Sequence, residues 1–214
     1  DMHSNPSHLE AAPAAPVSGN IAQKVLFVER SDKIELLSSV LNDADTGRTL
    51  VFTRTKHQAD RVMRQLSDRG ISADSIHSDK PQKMRQRALA AFDTGKIRVL
   101  VATDIVARGI DVEGISHVVN FELPNDPESY VHRIGRTARA GAAGVALSFC
   151  DFQEVSMLRA IERLTKSSLT AIDDHPYHSA SLGAMCMGKS PGKSSMNRRG
   201  KGRGSMARRR GRRR

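Results

Sequence analysis

The sequence predicts an α/β fold: an open, mostly parallel, twisted sheet with helices on both faces, followed by a disordered basic tail. Three observations carry that expectation. Apolar segments alternate between strand and helix periodicity some six times with short connections, the pattern of βαβ units. The strand candidates are continuous apolar runs, as when helices cover both faces of a sheet. The charge is also unevenly placed. The 214 residues carry 34 Lys and Arg against 23 Asp and Glu, yet Gly188 to Arg214 hold twelve of those bases and no acid. That leaves 22 bases against 23 acids in the body. A block of like charge reads as a solvated arm that meets a polyanion.

The elements follow in order. Residues 1–22, with Pro6, Pro13 and Pro16 and no apolar periodicity, read as a linker. Val25-Leu26-Phe27-Val28 is the first strand, and Ser31 can cap a helix with Ile34, Leu37 and Leu41 on one face. Thr49 to Phe52 is the second strand. Thr55 caps a helix bearing Ala59, Val62, Met63 and Leu66, which Gly70 ends. Ser72 to Ile76 is a short strand, and Asp79-Lys80-Pro81 opens a helix with Met84, Ala88, Ala91 and Phe92 that Gly95 closes. Arg98 to Ala102 and His117 to Asn120 are buried strands. Asp126-Pro127 starts a helix with Pro at its first position. Val145 to Phe149 is a strand, and Asp151 caps a last helix through Leu164. Periodicity ends after Ala171, so the domain spans 23–172 and residues 173–214 form the disordered basic extension.

Composition narrows the function. No apolar run approaches the roughly 18 residues of a membrane span, and the opening residues lack the regions of a secretory signal. Cys150 and Cys186 are too far apart for a metal knuckle and too few for a disulfide framework, and no metal ligand set is expected. A cytoplasmic protein without membrane partners is the expectation. With no Trp, two Tyr and six Phe, contact with nucleic acid would run mostly through phosphates.

Ligands of open α/β sheets bind beyond the carboxyl ends of the strands, so the loops after strands draw the search. Gly183 to Ser190 matches the phosphate-loop pattern G-x-x-x-x-G-K-[ST] by letters alone. No buried strand leads in and Pro191-Gly192 follows, so it is a decoy. Thr103, Asp104, Arg108, Gly109 and Asp111 crowd the loop after one strand. They read either as solvated charge or as groups for phosphate oxygens and ribose hydroxyls. Arg133, Arg136 and Arg139 fall within seven positions without an acid. Arg133 and Arg136, three apart, share a helix face and repel unless an anion lies between them. Spacing alone leaves two readings open, a solvated or RNA-facing basic helix and arginine fingers for a nucleotide. His175 and His178 lack a third ligand and read as loop.

Taken together these segments resemble the second, C-terminal RecA-like domain of DEAD-box RNA helicases. Leu50 to Lys56 looks like motif IV, and His77-Ser78-Asp79 with Gln82 and Arg85 like the H-G-D…Q-x-x-R segment. Ala102 to Asp111 is similar to motif V and His132 to Arg139 to motif VI, H-R-I-G-R-x-x-R. The likeness covers roughly residues 20–172. Ser78, Val106 and Ala138 depart from the usual Gly, Ala and Gly. Asp174-His175-Pro176 and the basic extension look most like the bacterial RhlE-like subgroup.

The resemblance implies the second half of an ATP-dependent helicase core, since no D-E-A-D, S-A-T, Q motif or genuine phosphate loop occurs in the sequence. Residues 1–22 would be the hinge to an N-terminal RecA-like domain that binds ATP with Mg²⁺. Arg136 and Arg139 would reach the γ-phosphate as catalytic arginine fingers, Asp111 would take the ribose hydroxyls, and His132 would join the two domains' motifs. Thr55, Gln82, Arg85, Thr103, Arg108, Gly109 and Arg133 would line or brace the RNA side, gripping single-stranded backbone without regard to sequence. The tail would anchor RNA, plausibly ribosomal, and the chain alone would be inactive. The alternative is an ATP-independent RNA-binding module held by its tail.

Overall fold

The structure is a computed structural model and describes residues 20–107 and 109–186. Seven strands form one sheet in which every pairing is parallel: β1 (Ile21–Phe27), β2 (Thr49–Phe52), β3 (Ala73–Ile76), β4 (Val99–Ala102), β5 (His117–Asn120), β6 (Gly144–Cys150) and β7 (Thr170–Ile172). Their order across the sheet is β3-β4-β2-β5-β6-β1-β7. Side chains alternate between the faces, as the two-residue repeat of a strand requires. Leu26, Val51, Val99, Val101 and Val119 pack under α1 (Lys33–Asn42) and α2 (Lys56–Asp68). Leu50, Phe52, Leu100 and Val118 meet α3 (Gln82–Asp93) and the one-turn α4 (Asp104–Ala107) on the opposite face. Val25, Phe27 and Ala146 join that face under α5 (Pro127–Ile134), α6 (Val155–Thr165) and α7 (Ala180–Cys186). Both faces are covered, which is why the strands read as unbroken apolar runs.

The structure departs from the sequence expectation at three places. β1 begins at Ile21, inside the expected linker, and runs in register with Gly144 to Cys150. Gln23 and Lys24 hid it, because backbone pairing does not depend on an apolar side chain. Ser31 does not cap α1: a 3₁₀ turn over Arg30–Asp32 leads into the helix, and the Ser31 hydroxyl donates to Asp32 at 3.0 Å. The expected disordered extension starts too early. Past residue 172, Val28 bridges His178, the Ser179 amide donates to the Phe27 carbonyl at 2.9 Å, and Leu182 is buried, while residues 187–214 of that extension lie outside the described residues. One apolar anchor in a short segment leaves no periodic signal. The first glycine of the decoy phosphate loop, Gly183, lies within α7 against His178 and Phe27, and its Gly188, Lys189 and Ser190 lie outside the described residues.

A buried ionic cluster ties together the carboxyl ends of the strands. Lys33, only 2% exposed, pairs with Asp151 at 3.1 Å and with Glu154. Glu154 also accepts from the amides of Leu123 (3.0 Å) and Asp151 (3.2 Å), and Arg54 lies 3.5 Å from both Glu154 and Glu122. The loops after β2, β5 and β6 are thereby fixed to one another and to α1.

Candidate nucleotide and nucleic-acid interface

Two sets of expected site residues occupy different places. β3, β4 and β2 are adjacent in the sheet, so the loops leaving them form one continuous edge. Thr55, after β2, accepts the Gln58 amide at 3.2 Å and starts α2, exposed. Lys56 pairs with Asp79 across this edge, and that ion pair holds the Asp79 carboxyl below the usual carboxylate range. Gln82 and Arg85 stand on the first turn of α3, where the Arg85 guanidinium donates to the Gln82 side chain. Thr103 follows β4 but is only 8% exposed, so it braces the loop more than it presents to a ligand. Gly109 is exposed beyond α4. Arg108 lies outside the described residues.

The second set is built on α5. Asp126 accepts from the Glu128 and Ser129 amides (3.3 and 3.1 Å) and Pro127 fills the first turn, which fixes where the helix starts. It ends at Ile134, and that overturns the expectation that Arg133 and Arg136 share a face: Arg136 lies beyond the helix, where the 3.6-residue repeat no longer applies. Arg133 is 1% exposed. Its guanidinium grips Asp104 bidentately at 2.6 and 2.8 Å and donates to Asn120 (3.1 Å) and the Glu122 carbonyl (2.7 Å). It also lies 5.0 Å from the centre of the Phe52 ring. The expected RNA contact by Arg133 is therefore corrected. Its donors are spent inside the protein, where they bind α5 to α4 and to the ends of β2 and β5. Phe52 is core, 1% exposed.

Past α5 the chain turns sharply. Thr137 donates to the Ile115 carbonyl at 2.5 Å and to the Ser116 carbonyl at 3.2 Å, anchoring the turn beside the start of β5. Gly144, at the start of β6, lies so close that a Cβ there would stand 2.3 Å from the Thr137 hydroxyl. Ala138 is held at φ 55°, a left-handed conformation that costs a non-glycine residue about 1–2 kcal/mol. This constrained turn carries Arg136 and Arg139. Arg136 donates to the carbonyls of Ile110 (3.1 Å) and His132 (3.3 Å), and Arg139 pairs with Asp111, whose side chain is 92% exposed. His132 is exposed and lines a small cleft with Arg136, Ser129 and Asp104.

Asp111, His132, Arg136 and Arg139 are thus brought together beside the end of α5, where His132 and Arg136 share a cleft with Asp104. Electrostatically the cluster is short of negative charge: two guanidiniums face one carboxylate. Burial, then repulsion from Arg139, pull the Arg136 pKa below the ordinary arginine value, with Asp111 opposing. Arg136 stays protonated in spite of this, and an added anion would relieve the repulsion. Among the described residues no three His, Cys, Asp or Glu are placed to hold a metal ion, and no helix is long and apolar enough to cross a membrane. Sequence reasoning missed Asp104, Asn120 and Glu122 as partners of Arg133. The carboxylate in motif V was visible, but its pairing with an arginine 29 residues later is a property of the fold.

The chain has clear relatives. Residues 32–141, just over half of the chain, match the helicase conserved C-terminal domain. The DEAD-box ATP-dependent RNA helicase CshA of Bacillus licheniformis is 45% identical over 165 residues, which are 77% of this chain and 34% of that protein. The chain spans about a third of the length of the curated relatives it matches. Among solved structures, E. coli DEAD-box protein SrmB bound to regulator of ribonuclease activity A superposes with a TM-score of 0.66 at 32% identity, covering 71% of this chain and 90% of that one. S. cerevisiae Dbp5 bound to RNA and ADP BeF3 superposes with a TM-score of 0.70 at 32% identity, over 77% of this chain and 44% of that one. The chain belongs to the helicase conserved C-terminal domain family, as the C-terminal RecA-like domain of a DEAD-box protein.

Proposed function

We propose that this domain is the second half of an ATP-dependent RNA helicase, which closes over ATP held on a first RecA-like domain while gripping single-stranded RNA. The observation that carries this reading is the pair Arg136 and Arg139, set on a constrained turn and facing a single carboxylate. Phosphoryl transfer needs mainly positioning and charge stabilisation, and two preset guanidiniums supply both at the γ-phosphate. In the separate domain Arg139 is paired with Asp111. On closure Arg139 would turn to phosphate and Asp111 to the ribose hydroxyls. His132, exposed beside Arg136, would bridge the two domains. Mg²⁺ would be held mainly by the first domain together with the nucleotide's phosphates.

The edge formed by Thr55, Gln82, Arg85, Thr103 and Gly109, with Arg108 between the described segments, would hold RNA by its sugar-phosphate backbone, independent of sequence. Bending one strand on closure opens a few base pairs of a duplex. Residues before β1 would be the interdomain linker and the basic C-terminal extension a general RNA anchor, with ribosomal RNA a natural target in the cytoplasm. The Asp174-His175-Pro176 wording and the basic extension support an RhlE-like placement within the family.

The test is ATP turnover with RNA present. The chain alone should be inactive, joining it to a first RecA-like domain should restore turnover, and Arg139→Ala in the joined protein should remove it. Unchanged turnover in that variant would refute the assignment. The second reading, an RNA-binding module that never meets ATP, is favoured only by the concentration of charge after Gly188. Ending the chain after Cys186, where α7 stops, separates the two. If the tail is the main anchor, the log–log salt slope should flatten by about 0.7 for each phosphate that the tail neutralises.

A further inference from the structure

The described residues expose five large apolar side chains, and three of them gather around α6: Phe152 at 67%, Met185 at 41% and Leu164 at 36%. The other two, Met84 and Ile105, stand on α3 and α4. Phe152 and Met185 line one shallow groove beside α6, and Leu164 lines a second; Arg163 borders both. Arg159 and Arg163, one helical turn apart, are exposed and make no ion pair among the described residues. Glu162, between them in sequence, forms no ion pair with either among the described residues, and one of its oxygens accepts from the Leu169 amide at 3.1 Å. The Leu164 groove also carries Glu128 and Asp126, whereas the groove of Phe152 and Met185 is lined by Arg159 and Arg163 and by no acid. None of these side chains belongs to the nucleotide or RNA groups placed above.

We propose that the groove beside α6 formed by Phe152, Met185, Arg159 and Arg163 is a docking site for an acidic, amphipathic segment of a partner protein. Clustered exposed apolar side chains mark interaction surfaces, and Met and Phe adapt to varied apolar partners. Two unneutralised arginines on the same stripe repel each other, so carboxylates laid beside them are attracted. A helix presenting apolar residues at i, i+3, i+4 and i+7 with acids on the flanks satisfies both requirements. RNA would serve the arginines but leave Phe152 and Met185 without apolar contact. The chain's own residues from Gly188 onward carry twelve bases and no acid, the wrong sign for this stripe.

The experiment follows the Met185 methyl resonance of the whole chain, assigned through Met185→Leu, because it reports this face and not the basic tail. Three probes are titrated: a helical Leu/Glu peptide, the same peptide with Lys replacing Glu, and oligouridine. The Leu/Glu peptide should shift the resonance saturably. Phe152→Ser should weaken that response by at least about tenfold, the scale of an interface anchor. Arg159→Glu with Arg163→Glu should abolish it and transfer it to the Leu/Lys peptide. No saturable shift, or an equal response to the Lys peptide in the unaltered chain, would overturn the proposal. So would a response to oligouridine that Phe152→Ser removes, which would make this an RNA face. Self-association that Phe152→Ser abolishes would overturn it too, and would assign the face to a second copy of the chain.

Discussion

Arg133 and Arg136 stand three residues apart in one basic run, yet the fold treats them in opposite ways. Arg133 sits in a closed cage of Asp104, Asn120, the Glu122 carbonyl and the Phe52 ring. Arg136 has two backbone carbonyls, a like-charged neighbour and no carboxylate of its own. A buried guanidinium with four of its five donors matched inside the protein is part of the scaffold. One held in place but left short of counter-charge is poised for an anion that arrives later. Residue type is the same in both; the supply of partners separates them.

Exchanging the two roles is the sharpest way to break this contrast. In the joined two-domain protein, Arg136→Ala should lower RNA-stimulated ATP turnover by about 10³-fold or more, the range for a lost arginine finger. Its unfolding midpoint should barely change. Arg133→Ala should do the reverse to the fold, costing about 3–5 kcal/mol because Asp104 and Asn120 lose a buried partner. Arg133→Lys should recover little of it, since an ammonium cannot span that fork. Urea unfolding of both variants checks the pair, and equal stability losses would end the distinction. The same scale applies to Lys33→Ala, which removes the buried cation shared by Asp151 and Glu154 and leaves Glu154 only Arg54 at 3.5 Å, and a small loss there would show the ionic cluster to be ornamental.

Smaller effects test the turn and the surroundings. Ala138→Gly should stabilise the domain by about 0.5–1 kcal/mol, the left-handed strain relieved less the added freedom of the unfolded chain. If the preset turn matters to the arginines, turnover in the joined protein should not rise with that stability. The mildest expectation concerns acid. Burial, then Lys24, holds the His117 imidazole below its ordinary pKa, and burial, then His178, does so for His175. The folded state therefore binds these protons less tightly than the unfolded chain. Stability is unaffected above the unfolded value of about 6.5 and falls as pH drops below it. Replacing His117 with Gln should flatten that decline below about pH 6.5, read from urea midpoints.

The sequence made the alternation of strands and helices legible because β2, β4, β5 and β6 are apolar at their centres and most helices keep one stripe. It made motifs V and VI legible as charged groups at fixed spacing. Hidden were the contacts that depend on chain pairs far apart: Arg133 with Asp104, Lys33 with Glu154, β7 and α7 against β1. The error over Arg133 has a specific source. Helical spacing was extended past Ile134, where the helix has already ended, so two arginines were assigned one face that the backbone does not provide. Ala138 shows the converse. Its departure from the family's glycine looked harmless because it removes no charge, and only the backbone angle reveals a cost.

The placement of β1 sets the order in which this domain can come into being. Its two neighbours are β6 and β7, with Ile21 opposite Gly144 and Lys24 opposite Thr170. The first strand of the domain to leave the ribosome must therefore wait until nearly all the rest has been synthesised before either edge is paired. Closing so long a loop is slow, and in the interval Val25-Leu26-Phe27-Val28 is an unpaired apolar strand. The carboxyl-terminal strands thus complete the sheet and also end the nascent chain's exposure to aggregation, so truncations that remove β7 should be lost to misfolding before they are lost to inactivity.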